Sequence, residues 1–160
     1  AREQSFNFLN IGRFLSRGVI TIDLLTIKLK EYDYDLEKHA DDPTWRFLLY
    51  SLSGYELYLK KNRGRLDAGL VIQHVLYNTD FPHSLLYSLN RLSRYFERLK
   101  TESTPENFDQ LEFLIGRCSN NIKYSNLSNN SKMLKEFLPQ TRNELLEIAY
   151  TFNKFYFGNT

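Results

Sequence analysis

The sequence is poor in residues that cross-link or interrupt a chain. Among its 160 residues there is one cysteine, Cys118, so no internal disulfide can form, which suits a reducing compartment. There are only 7 glycines and 4 prolines, and long stretches without either leave room for long helices. No apolar run approaches the roughly 18 residues of a membrane helix. The opening "AREQSFNFLN" lacks the basic start and apolar block of a signal peptide. Charge of one sign is missing too: the formal net charge is +2, weaker than the basic bias of a nucleic-acid-binding domain. The three histidines, His39, His74 and His83, are scattered, without H-E-x-x-H or Glu-x-x-His spacing. No metal, cofactor, membrane or nucleic-acid partner is expected, and the localisation expected is cytoplasmic.

What is present is ordinary for a globular protein, with hydrophobic content of 42% and charged content of 25%, but the aromatic share is high at 15%. Much of the core must therefore come from rings, many carrying a hydroxyl that needs a partner. The length suits one domain over 1–160. A helical pattern that begins at once, without an initial Met, suggests an excised part of a longer protein.

Spacing near 3.6 predicts about six helices in an all-α, antiparallel up-and-down bundle. The first runs from about Ser5 to Lys30, with Phe8, Ile11, Leu15, Ile22, Leu25 and Leu29 as its stripe. Phe14, Ile20, Leu24 and Ile27 widen that stripe, so this helix is expected to be surrounded on several sides. "EYDYDLEKHADD" reads as a polar connection. "DDPTW" starts a second helix, 43–62, with Asp42 as cap, Pro43 in the first position, Trp45 on the apolar face and Gly64 as the stop. Further helices are expected over about 66–78, 82–100, 105–125 and 131–157, the last kinked or split by Pro139.

Several groups invite a chemical reading. Arg13 and Arg17 lie four apart on one face, with Gly12 and Gly18 allowing a close neighbour. They form either an anion clamp between helices or a buried ion-pair network with Asp23, Glu56 or Asp80, because an unpaired buried charge costs several kcal/mol. Arg91, Arg94 and Arg98 fall at i, i+3 and i+7, a solvated basic face or a site for an acidic peptide or phosphate, with Glu102 and Asp67 as possible partners. Asp80 and Ser84 flank a helix start, where free N–H groups bind anions and ordinary capping uses the same residues. Cys118, beside Arg117 on an apolar helix, reads as a buried thiol rather than a nucleophile. "KKNRGR" reads as a helix end rather than a nucleic-acid patch. "GRFLSR" (12–17) is echoed by "SRYFER" (93–98).

Three pieces in order, "FNFLNIGRFLSRGVITIDLL", "FPHSLLYSLNRLSRYFERL" and "LPQTRNELLEIAYTFNKFYF", resemble the bacterial Alpha-E domain, an all-helical family of unknown function named for a Glu-Arg motif. The resemblance covers nearly the whole chain and suggests the second, C-terminal copy of a tandem. It places the family's Gly-Arg on Gly12 and Arg13, its Glu-Arg on Ser16 and Arg17, and its Phe-Pro-x-Ser on Phe81, Pro82 and Ser84. The glutamate is thus replaced by Ser16, which cannot serve as a general acid or base at neutral pH. The resemblance implies a setting of peptide synthesis or modification, with an ATP-grasp-type ligase or a transglutaminase-like protein as partner. The expected role is a non-catalytic accessory or binding module. The alternatives are an enzyme using an Arg-lined cleft with Glu56, Asp80 or His83, and a purely structural oligomerisation bundle.

Overall fold

The computed structural model describes residues 2–102 and 108–156. Seven helices and no strand are found among them: α1 (Arg2–Glu31), α2 (Trp45–Ser51), α3 (Tyr55–Asn62), α4 (Ala68–Tyr77), α5 (Leu85–Glu102), α6 (Phe108–Lys123) and α7 (Ser131–Tyr156). The architecture is the all-helical, antiparallel up-and-down bundle expected. The start expected at Pro105 lies outside the described residues.

α1 packs most extensively on α5 and also on α7 and α2, while α6 lies against α5 and α7. Ile11, Leu15, Ile22, Leu25 and Leu29 are buried as their spacing requires. Ile20 and Ile27 are exposed, so α1 is not enclosed on all sides. Gly18 is where α1 comes closest to its neighbours: a Cβ there would meet Leu145 at 3.0 Å and Leu85 at 3.6 Å. Gly12 has nothing within 4 Å, so it serves no close approach.

The helix expected over 43–62 is two helices. The chain turns at Leu52–Gly54, where Ser53 takes φ 55° and the Gly54 N–H donates to the Leu49 carbonyl at 2.8 Å. Phe81 drives the break by seating its ring against the Gly54 backbone: a Cβ there would lie 2.7 Å from Phe81 Cε1. Phe81 in turn stacks on His74 of α4, with ring centroids 4.5 Å apart. α3 ends as expected, with Arg63 and Gly64 at positive φ and the Gly64 N–H donating to Leu59 at 3.0 Å. α7 runs through Pro139 without splitting, with the proline on its exposed side.

The segment between α1 and α2 is more than a polar connection. Tyr32 and Leu36 are buried, Tyr32 stacks on His39 at 4.2 Å, and Trp45 Nε1 donates to the His39 carbonyl at 2.8 Å. At its end Thr44 gathers three groups: Lys28 Nζ donates to its hydroxyl at 2.7 Å, Tyr32 hydrogen-bonds to it, and it donates to Asp42 Oδ1 at 2.7 Å. Asp42 also accepts the Thr44 N–H at 2.8 Å; the Thr44 hydroxyl first and this N–H second hold its carboxyl below the usual carboxylate range. Asp42 thus closes the turn ahead of α2, and Pro43 lies before the first helical residue rather than in it.

Candidate functional site

α1 carries two different surfaces side by side, because residues one apart on a helix differ by about 100° in direction. The first is a seam with α5. Phe14 is buried there and stacks on Tyr95 with centroids 5.9 Å apart; Tyr87 lies 6.4 Å from it. Arg17 and Arg13 lie over the same Phe14 ring, at 5.2 and 5.8 Å from its centroid. From α5, Arg91 lies over the Tyr87 ring at 5.5 Å and Arg98 over Tyr95 at 5.1 Å.

The cations of this seam have no counter-ion among the described residues: no carboxylate there forms an ion pair with Arg13, Arg17, Arg91, Arg94 or Arg98. The buried Nε of Arg91 has no acceptor among the described residues. Burial pushes the Arg17 guanidinium down from its usual range, the neighbouring Arg13 charge pushes it further, and Tyr87 opposes. His83, just ahead of α5, is pushed below the ordinary histidine value by burial, then by Arg17 and Arg13. Its carbonyl accepts from Thr21 of α1 at 2.8 Å, which fixes the seam's end. The site is thus a positively charged aromatic ledge with the His83 imidazole beside it.

This corrects the expected ion-pair network. Arg13 is exposed and Arg17 half-buried, so neither is enclosed among the helices. Asp23 faces α7 instead, accepting from Arg142 Nε at 2.8 Å and Nη2 at 3.4 Å. Glu56 is exposed on α3, and Asp80 is exposed, its N–H donating to the Asn78 side chain at 3.0 Å. Asp67, the other suggested acid, caps α4 by accepting the Leu70 N–H at 3.2 Å.

The remaining candidates have structural positions. Ser84 is buried and caps α5: it accepts the Tyr87 N–H at 3.1 Å and donates to the Asn78 carbonyl at 2.7 Å. Phe81 is buried against Gly54, Pro82 is exposed and Trp45 is fully buried. Arg94 is exposed on α5. Cys118 is buried, its thiol pushed up chiefly by burial and next by Glu144. Among the described residues no three His, Cys, Asp or Glu side chains gather to hold a metal, and no helix is long and apolar enough to cross a membrane.

The second surface was not anticipated. The exposed Gly12 and Ser16 line an open groove between α1 and α7, about 680 Å³ in volume, whose buried lining is Leu15, Leu145 and Phe152. Leu9 is 74% exposed, Ile20 54% and Leu146 44%, so its rim is apolar and open to solvent. Tyr87 was missed as well, although its place four residues before Arg91 puts a ring directly under that guanidinium.

No curated protein and no solved structure showed significant similarity to the chain. One family model matches residues 1–157: Alpha-E, a predicted alpha-helical domain with a conserved ER motif. The sequence contains a Glu-Arg dipeptide once, at Glu97–Arg98 on α5, where both side chains are exposed. With a match over nearly its whole length, and an all-helical structure, this chain belongs to the Alpha-E family.

Proposed function

We propose that the chain is a non-catalytic binding module that receives an anionic group of a partner on the α1–α5 seam. The observation that carries this reading is the set of guanidinium groups, Arg13, Arg17 and Arg91, gathered around Phe14 and Tyr87 without a carboxylate among the described residues. Like charges held together cost free energy, and an anion offsets that cost. The rings keep the guanidinium planes oriented, so less freedom is lost when a carboxylate or phosphate is gripped by two N–H donors. The setting proposed is cytoplasmic peptide synthesis or modification, with an ATP-grasp-type ligase or a transglutaminase-like protein supplying the anionic group.

Titration with acetylated di-glutamate at low salt tests the binding step. The unmodified chain should bind it, more weakly as salt rises. Arg17→Ala and Arg91→Ala should each weaken binding about tenfold, or about 1.4 kcal/mol. Equal binding by the variants, with helix content intact, would remove the seam from the account. A pull-down with an ATP-grasp-type ligase as bait tests the setting: retention unchanged in Arg17→Ala counts against it.

A further inference from the structure

α6 and α7 meet along a polar strip that differs from the α1–α5 seam in charge and in chemistry. A cavity of about 540 Å³ opens there, lined by Arg117 and Asn121 of α6 and by Gln140, Asn143, Glu144 and Glu147 of α7. These positions recur three and four apart on each helix, so each set shares one face. Five of the six side chains are exposed; Glu144 is the exception, at 9%. Its Oε1 accepts from Asn121 Nδ2 and from Gln140 Nε2, both at 3.3 Å, so residues of both walls hold the carboxylate at the cavity. Its Oε2 is buried and has no hydrogen-bond partner among the described residues.

A buried carboxylate is costly unless a cation meets it. Neither guanidinium near it in sequence does so: Arg117 pairs with Glu147 at 3.6 Å and Arg142 with Asp23 at 2.8 Å. The buried Cys118 thiol feels the Glu144 charge, but a thiol is a weak donor and offsets no charge. We propose that the α6–α7 cavity is a binding site for a primary ammonium group, with Glu144 as the anchoring carboxylate and Glu147 and the carboxamide oxygens of Asn121, Gln140 and Asn143 as further acceptors. Charge and donor count select this class. Two carboxylates and one guanidinium line the cavity, which leaves one negative charge for a monocation to balance. An ammonium carries three N–H donors and no acceptor, which suits an unmet oxygen among carbonyl groups. Oε2 is recessed, so a compact head on a slim stem reaches it, whereas a planar guanidinium needs both oxygens side by side. The two 3.3 Å bonds are long and their donors are exposed side chains, so an entering ammonium displaces them at little cost. A divalent cation is disfavoured, because only two carboxylates line the cavity and Arg117 repels it.

Titration of the unmodified chain with n-butylammonium, followed by NMR at neutral pH and constant ionic strength, tests the site. The side-chain amide signals of Asn121, Gln140 and Asn143 should shift and saturate, with the millimolar affinity expected of so small a ligand. Tetramethylammonium, which has the charge but no N–H donor, should give no saturable shift. Glu144→Gln keeps the shape and removes the charge, and should weaken butylammonium at least about tenfold while helix content stays unchanged. Asn143→Leu, at an exposed position, covers the cavity without touching the carboxylate and should weaken it about as much, which keeps the test decisive if Glu144→Gln fails to fold. N-acetyl-lysine methylamide separates the sources of the group: tighter binding than butylammonium assigns the site to a lysine side chain of a partner, and equal binding to a free amine. No saturable shift, equal shifts from the two ammonium ions, tighter binding of calcium or methylguanidinium, or butylammonium binding unchanged in both variants would overturn the proposal. Acetylated di-glutamate should bind Glu144→Gln as it binds the unmodified chain, so this site and the α1–α5 seam stand or fail separately.

Discussion

Asp23 of α1 grips Arg142 of α7 through two N–H donors, and so the acid six residues beyond Arg17 is spent on a different neighbour. Both side chains of the pair are 42% exposed. An exposed pair of good geometry contributes at most about 1 kcal/mol, less at high salt. Arg142→Ala should therefore lower unfolding free energy only slightly, by a difference that shrinks in 1 M salt. Arg17→Ala should cost no more than this, since it removes ring packing but also relieves repulsion from Arg13. Urea denaturation of both variants checks this: a loss of 3 kcal/mol at Arg17 would mean an ion pair after all.

Gly54 and Phe81 make the sharpest steric prediction. Gly54→Ala would press a methyl into the Phe81 ring and should destabilise by about 1–3 kcal/mol. Phe81→Leu on its own should also be costly, through lost volume and lost stacking on His74. Together the two should cost less than their sum, since the smaller side chain makes room for the methyl. Strict additivity in a double-mutant cycle would show that Phe81 is not what requires the glycine.

Thr44→Val keeps the shape and removes the hydroxyl that Lys28, Tyr32 and Asp42 share. Lys28 is buried and would keep its ion pair with the exposed Glu31, at 3.6 Å, and its place over the Tyr32 ring, but lose its hydroxyl acceptor. Leaving that ammonium short of an acceptor should cost about 2–3 kcal/mol. Thr44→Ser should recover most of the loss. Equal stability of Val and Ser variants, measured by thermal and urea unfolding, would reduce the network to a packing contact.

His74 gives the protein an acid-side limit. Burial pushes its pKa down to about 4, with Lys61 adding to the shift and the Gly54 backbone opposing it. The unfolded chain binds this proton near the ordinary value of about 6.5, so the folded state holds fewer protons between the two. Stability should fall as pH drops from about 6.5 towards 4, by about 3 kcal/mol from this group, and level below that. His74→Gln should flatten this part of the profile. An unchanged slope in pH-dependent urea unfolding would show that the ring is not the group responsible.

The sequence by itself determined the helices and most of what lies between α1 and its core partners. Ile11, Leu15, Ile22, Leu25 and Leu29 recur at the period of a helix, and a helix buries whatever recurs at its period. Gly64 marked an end through a local backbone rule that needs no distant partner, whereas Asp67, read as a possible partner of the α5 arginines, proved to cap α4. Likewise the arginines at 13 and 17 were legible as one face, since i, i+4 spacing alone sets that. What lay opposite them was not legible. Rotation about α1 turned Asp23 towards α7 and the arginines towards Tyr87 and Arg91, and such pairing depends on helix register and crossing angle, which no local pattern encodes. The break at Gly54 was decided by Phe81, 27 positions along the chain, and the groove over Gly12 and Ser16 by how far α7 stands from α1. Periodicity is a property of one helix; an ion pair, a steric break or a groove is a property of two, and only tertiary packing chooses the second.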